Sequence, residues 1–230
     1  MESINIQEEV EFTGTMRDIF RRIKVNIEFS GLGQKSICIS SSVANEGKTV
    51  MALGIAKAYA EEDGKKVLLL DADIRNSIMN LKLGYSSRLK GLTECITGKI
   101  AMEDAVYQTN IDGLYLTPCG RKTNNSTQLF QRKTFESFMK YVKERFDVII
   151  VDTPPVGIII DAAVIASLSD ACLMVAGANM VHRKDIKANI QTLKKANKNF
   201  LGVVLNKSKD KLDGYGRRYY KYYNGYGKEE

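Results

Sequence analysis

The sequence predicts an α/β layered fold with a mostly parallel central sheet flanked by helices, and two observations carry that expectation. Short apolar runs bounded by polar residues recur at 36–40, 66–70, 114–117, 148–151, 171–176 and 200–205, with stretches of helical period between them at 49–62, 129–145, 162–168 and 184–196. The runs Val67-Leu68-Leu69-Leu70 and Val148-Ile149-Ile150-Val151 are continuous rather than alternating. Strands covered on both faces read this way, and such strands belong to parallel sheets. Strand and helix in alternation then imply right-handed crossovers that put helices on both sides of the sheet.

Ahead of the first strand, residues 15–29 carry Ile19, Phe20, Ile23 and Ile27 close to the 3.6-residue period, with Arg17, Arg21, Arg22 and Lys24 elsewhere on the cylinder. This predicts an amphipathic helix. Beyond Asn206 the chain turns to lysine, glycine and tyrosine with almost no aliphatics, too little apolar surface to offset the entropy of ordering, so a mobile tail is expected. The organisation is therefore an N-terminal segment at 1–30, a main domain at 31–206 and a flexible tyrosine-rich tail at 207–230.

At 230 residues and 44% apolar, the chain suffices for one well-buried domain. It has no run approaching the roughly 18 uncharged apolar residues of a membrane span, and its first residues are acidic rather than signal-like, so a cytoplasmic location is expected. Cys38, Cys95, Cys119 and Cys172 show no C-x-x-C spacing, which argues against a zinc site or a disulfide framework. The single histidine, His182, follows a strand in a polar stretch and reads as a surface residue. A net charge of +7 is spread along helix faces, without an arginine-rich arm or an aromatic-basic signature, so no nucleic-acid partner is expected.

Residues 42–49, Ser42-Val43-Ala44-Asn45-Glu46-Gly47-Lys48-Thr49, fit the phosphate-loop pattern G-x-x-x-x-G-K-[ST] with serine in place of the first glycine. The segment follows a strand and opens a helix, the context the pattern requires, and so predicts a P-loop NTPase-like fold. Gly47 lets the backbone curl so that N–H groups from Ser42 through Val50 and the helix start face the phosphates. Lys48 would neutralise phosphate charge while the Thr49 hydroxyl ligates Mg²⁺.

Two acidic motifs end predicted strands. Asp152 precedes Thr153-Pro154-Pro155 at the carboxyl edge, where open α/β sheets bind ligands. Asp71-Ala72-Asp73-Ile74-Arg75 follows the strand at 66–70. A strand-end aspartate alone is often only a helix cap. Together with the phosphate loop, Asp71, Asp73 and Asp152 make a set able to hold Mg²⁺ through Asp71 and Asp152 and to take a proton from an attacking hydroxyl. Tyr215, Tyr219, Tyr220, Tyr222, Tyr223 and Tyr226, six of the eleven tyrosines, crowd the final sixteen residues without aliphatic neighbours. Exposed hydroxyls on loose chain suit a phosphoacceptor segment; an adhesive stacking tail for polysaccharide, nucleic acid or a partner is the other reading.

These motifs and their spacing resemble the bacterial tyrosine kinases of capsule and exopolysaccharide assembly, over nearly the whole chain from Asp18 onward. Residues 68–75 look like that family's Walker A′ motif, residues 148–155 like its Walker B, and Gly202-Val203-Val204-Leu205-Asn206 like its last core strand. The resemblance implies ATP and Mg²⁺ as cofactors, Arg75 among the nucleotide-site residues, Asn206 near the adenine, and autophosphorylation of the tail in trans within a ring-like homo-oligomer that phosphorylation loosens. It also implies a separate transmembrane activator that recruits the chain to the inner face of the membrane, and polysaccharide-assembly enzymes as further substrates. The family's assembly motif E-x-x-R-x-x-R corresponds to Asp18, Arg21 and Lys24, with the last arginine replaced. The proline-containing loop usual after its middle strand is replaced by Lys122-Thr123-Asn124-Asn125.

Two other classes share the phosphate loop. An ATPase switch of the division-site or partition type would use the same Lys48, Thr49 and Asp152, but it carries a further lysine where this chain has Val43. A non-catalytic ATP-binding scaffold of a membrane polysaccharide complex would lack phosphotyrosine. The N-K-x-D guanine contact of GTPases is offset by one residue in Asn206-Lys207-Ser208-Lys209-Asp210, so ATP is favoured.

Overall fold

The computed structural model describes residues 2–7, 12–30, 33–62 and 64–208. Its strands are β1 (Ser3–Ile4), β2 (Ser36–Ser41), β3 (Val67–Asp71), β4 (Tyr107–Thr109), β5 (Leu114–Thr117), β6 (Val148–Asp152), β7 (Ala171–Gly177) and β8 (Phe200–Asn206). They form one sheet in the order β1-β4-β5-β3-β6-β2-β7-β8. Every neighbouring pair is parallel except β4 with β5.

The continuous apolar runs have a direct cause. Successive side chains of a strand point to opposite faces, and here both faces are buried. Cys38, Leu68, Leu70, Ile149, Val151, Cys172 and Met174 pack on one side with Phe130, Phe135 and Phe138. Ile37, Ile39, Leu69, Ile150 and Val175 pack on the other with Phe20, Ile55 and Tyr59. All four cysteines are buried and free.

The helices are α1 (Gly14–Glu28), α2 (Lys48–Ala60), α3 (Met79–Leu83), α4 (Leu92–Ile96), α5 (Ser126–Phe130), α6 (Lys133–Lys143), α7 (Asp161–Leu168) and α8 (Arg183–Ala196). Helix α1 lies on α2, where the Phe20 ring occupies the space a Cβ on Gly54 would need, and Phe12 meets Phe20 edge-on at 4.8 Å. One expectation for α1 is corrected. The sequence puts Lys24 with the solvent-facing cations, yet it is buried while Ile19 is 45% exposed. The Lys24 stem crosses the Tyr59 ring, with the ammonium 5.5 Å from its centroid, and reaches Glu62, so an apolar stem is covered while its charge keeps a partner.

The single helix expected at 129–145 is two, broken at the extended Arg132. Phe130 and Phe135, five residues apart, would diverge by about 140° on one straight helix. The break lets both rings enter the core, where they meet edge-on at 4.9 Å. Among the described residues no helix is long and apolar enough to cross a membrane.

Candidate active site

The ends of β2, β3 and β6 lie side by side because β2 and β3 both pair with β6, which puts Asp71 directly opposite Asp152. The loop after β2 holds its curl through two left-handed residues, Asn45 at φ 65° and Gly47 at φ 95°. A Cβ on Gly47 would come within 2.2 Å of Asn206 Nδ2, so glycine is needed there for space as well as for conformation. Glu46, fully buried, braces the loop from within. Its Oε2 accepts the N–H groups of Ser42 and Val43 at 2.6 and 2.9 Å, and its Oε1 accepts that of Gly177 at 2.9 Å. From the end of β8, Asn206 Nδ2 donates to the Glu46 carbonyl at 2.9 Å, and Lys207 Nζ donates to the Asn45 carbonyl.

Helix α2 starts at Lys48 and aims that side chain across the strand ends. Its ammonium lies 3.2 Å from both Asp73 Oδ2 and Asp152 Oδ1. Thr49 Oγ1 donates to Asp152 Oδ2 at 2.7 Å, and Val50 follows half-buried in the first turn. Asp71 receives the Asp73 N–H at 3.3 Å on Oδ1 and the Ser77 hydroxyl on Oδ2. Lys48, Asp71, Asp73, Asp152 and Thr49 thus share one buried polar cluster.

The charges are mutually dependent. Burial alone would depress Lys48, but the carboxylates of Asp152 and Asp73 outweigh it and hold its pKa above the ordinary value, so it stays cationic. Burial raises Asp152 despite Lys48 and Thr49. Burial, then the facing Asp152, pushes Asp71 up to about 7. A carboxylate poised there can both accept and release a proton near neutrality.

The donor set suits Mg²⁺. The Thr49 hydroxyl and the Asp152 carboxylate are hard oxygen ligands already in contact, and the buried Ser42 hydroxyl has no partner. Among the described residues no group of three or more His, Cys, Asp or Glu could hold a metal by itself. Mg²⁺ ordinarily takes one or two protein oxygens and completes its shell with water and phosphate.

Three residues have partners the sequence does not reveal. Arg75 directs Nε to Asp161 Oδ2 at 3.3 Å and to the Ser126 hydroxyl, a tie between the turn after β3 and helices α5 and α7. Arg21 pairs with Glu61 at 2.9 Å and Lys24 with Glu62, both within the chain, while Asp18 is exposed. Ser77, absent from the sequence reading, reaches Asp71, and Lys122, noted there only within the loop that replaces the family's proline-containing one, reaches the Ser77 carbonyl. Lys122 acts through a contact distant in sequence, whereas Ser77 lies six residues from Asp71 in a turn that carries no motif. The phosphoacceptor candidates Tyr215, Tyr219, Tyr220, Tyr222, Tyr223 and Tyr226 lie outside the described residues.

Comparison with known proteins adds a family. A family profile described as an AAA domain matches residues 34–207. The tyrosine-protein kinase CpsD of Streptococcus pneumoniae is 36% identical over 223 residues, covering 97% of this chain and 97% of its own length. The putative tyrosine-protein kinase CapB of Staphylococcus aureus is 30% identical over 195 residues, covering 84% of this chain and 85% of its own. Among solved structures, the kinase domain of the Escherichia coli tyrosine kinase ETK superposes with a TM-score of 0.79 at 23% identity, over 91% of this chain and 86% of that one.

Proposed function

Because the chain belongs to the bacterial tyrosine-kinase family, we propose that it transfers the γ-phosphoryl group of ATP to tyrosines of its own C-terminal segment, in trans between subunits. The observation that carries this reading is Lys48 held between Asp73 and Asp152 at the mouth of the phosphate loop, beside an Asp71 poised near neutrality. Lys48 is already desolvated and held cationic by those carboxylates, so the charge that meets the β- and γ-phosphates is in place before they arrive. Thr49 and Asp152, with Asp71 close by, would hold Mg²⁺, which supplies charge neutralisation on the phosphates. The arriving phenol forms the new O–P bond as the bridging O–P bond to the β-phosphate breaks, and its proton passes to Asp71. Such chemistry asks for positioning and charge more than for covalent catalysis.

Tyr215, Tyr219, Tyr220, Tyr222, Tyr223 and Tyr226 are the acceptors in this reading. Residues 207–230 carry seven basic and four acidic side chains. Six phosphates at about −1.5 to −2 each would add about −9 to −12, enough for neighbouring subunits to repel one another's tails and open a ring-like oligomer built through Asp18, Arg21 and Lys24. A separate transmembrane activator would bring the chain to the inner membrane face, and polysaccharide-assembly enzymes would be further substrates, so that phosphorylation regulates capsule or exopolysaccharide synthesis and export. Exposed Ile158 and Ile160 after β6 and Met180 after β7 offer that activator apolar surface at the carboxyl edge of the sheet. Incubation of the purified chain with Mg-ATP and its activator, followed by phosphotyrosine detection, tests the reading. Tail phosphotyrosine that disappears in Asp152→Asn supports it; ATP hydrolysis without any phosphotyrosine overturns it in favour of an ATPase switch.

A further inference from the structure

Asp71 takes its hydrogen bonds from Ser77 and a backbone N–H rather than from Lys48. Lys48 engages Asp73 and Asp152, and the Asp73 N–H is a weak 3.3 Å donor to Asp71 Oδ1. The torsion of a carboxylate is broad, so such a group left alone would swing. What fixes it is Ser77, in the turn before α3 and only 3% exposed. The Ser77 oxygen accepts the Met79 N–H at 3.1 Å. A hydroxyl has one hydrogen and a backbone N–H can only donate, so the Met79 bond orients the oxygen and leaves its hydrogen for Asp71 Oδ2. The adjacent Cys119 thiol is pushed up to about 12, first by burial and then by Asp71, and stays protonated, so it offers no competing anion.

Ser77 is itself anchored from another part of the chain. Lys122 Nζ donates to the Ser77 carbonyl at 2.7 Å, and the next residue closes the bracket through Thr123 N–H to the Ile74 carbonyl at 2.9 Å. The lysine-bearing loop after β5 therefore clamps the turn that bears Asp71 and Asp73.

We propose that Ser77, clamped by Lys122, is a positioning residue for phosphoryl transfer: it locks the buried Asp71 carboxylate through Oδ2, in register with Asp152 at the carboxyl edge of the sheet. This inference rests on Asp71 belonging to the phosphoryl-transfer site. A ligand held by an outer-shell partner typically loses about 10- to 100-fold in activity when that partner is removed, and a group misplaced by about 1 Å costs about 100-fold.

The test uses the full chain with its activator and Mg-ATP, comparing wild type with Ser77→Ala, Ser77→Thr, Lys122→Met and Asp71→Asn. Ser77→Ala is expected to lower kcat about 10- to 100-fold while KM for ATP stays near wild type. Ser77→Thr keeps a hydroxyl and restores most of the rate. Lys122→Met, which leaves the buried hydroxyl in place, lowers kcat by a smaller factor, and it carries the test if Ser77→Ala melts early. Unchanged kcat in Ser77→Ala and Lys122→Met, with Asp71→Asn inactive, overturns the role of Ser77 and leaves the place of Asp71 in the site standing. Wild-type activity in Asp71→Asn removes Asp71 from the site itself. A loss that tracks a raised KM or a lowered melting temperature, unrepaired by threonine, makes Ser77 merely structural.

Discussion

Replacing Lys48 by methionine, the usual way to silence a phosphate-loop enzyme, should do more than abolish activity. The side chains of Lys48, Asp73 and Asp152 are only 12%, 7% and 2% exposed, so the substitution strands buried carboxylates without their cation. Breaking a buried pair from one side costs about 3–5 kcal/mol. For a domain of this size, at roughly 2–4 °C per kcal/mol, the melting temperature should fall by roughly 6–20 °C. The loss should depend on pH. Asp152, raised by burial, and Asp71, pushed up to about 7, hold protons more tightly in the folded than in the unfolded chain. Their contribution to stability therefore declines as pH climbs from the ordinary carboxylate range toward about 7. Lys48 lowers both pKa values, so its removal steepens that decline. Urea unfolding of the nucleotide-free protein should show the full deficit near about pH 8 and a clearly smaller one near about pH 5.5, where protonation relieves the stranded charges. A deficit equal at the two pH values, or none at all, would mean that the cluster is not electrostatically coupled as described.

Other outcomes follow from the same geometry. Asp71→Asn should abolish tail phosphorylation while raising the melting temperature of the nucleotide-free chain near about pH 8, because the amide oxygen still accepts the Ser77 hydrogen and removal of a buried charge outweighs the weak 3.3 Å Asp73 N–H bond that the amide NH₂ cannot accept; scanning calorimetry that shows a drop would contradict this. Gly47→Ala forces a Cβ to 2.2 Å from Asn206 Nδ2 at φ 95°, with about 1–2 kcal/mol of left-handed strain before the clash is counted. ATP affinity should weaken about tenfold or more by titration calorimetry, and an unchanged affinity would show that the Asn206 contact is not rigid. Full tail phosphorylation should reduce oligomer size in light scattering, whereas equal mass before and after rules out charge-driven opening.

Much of this architecture is legible in the sequence because the sheet is buried on both sides. Val67 to Leu70 and Val148 to Val151 have no polar face to hide, so their apolar runs are unbroken and the acids that end them stand out. The phosphate loop is legible for a related reason: Gly47, Lys48 and Thr49 act within one local turn. What escapes is whatever depends on distant pairing. Lys24 looks solvent-facing until α2 supplies Glu62 and Tyr59. The helix break at Arg132 follows from two phenylalanines sharing one core. Arg75, placed by resemblance at the nucleotide, directs its Nε to Asp161 and Ser126 across the chain. The one-turn helices α3 and α4 and the short strand β4 are too brief to show a period. The Lys122 loop, a departure from the family pattern with no sequence-level explanation, gains one from its bond to the Ser77 carbonyl.

A mixing experiment reports most directly on phosphoryl transfer from this site to a neighbour's tail. An Asp71→Asn chain with its tail tyrosines intact is combined, with Mg-ATP and activator, with an active chain whose six tail tyrosines are phenylalanine, and phosphotyrosine is mapped by mass spectrometry. The account predicts phosphotyrosine on the Asp71→Asn tail in the mixture and none on either chain alone. A mixture that stays unlabelled while wild type labels itself, or an Asp71→Asn chain that labels itself unaided, would contradict it.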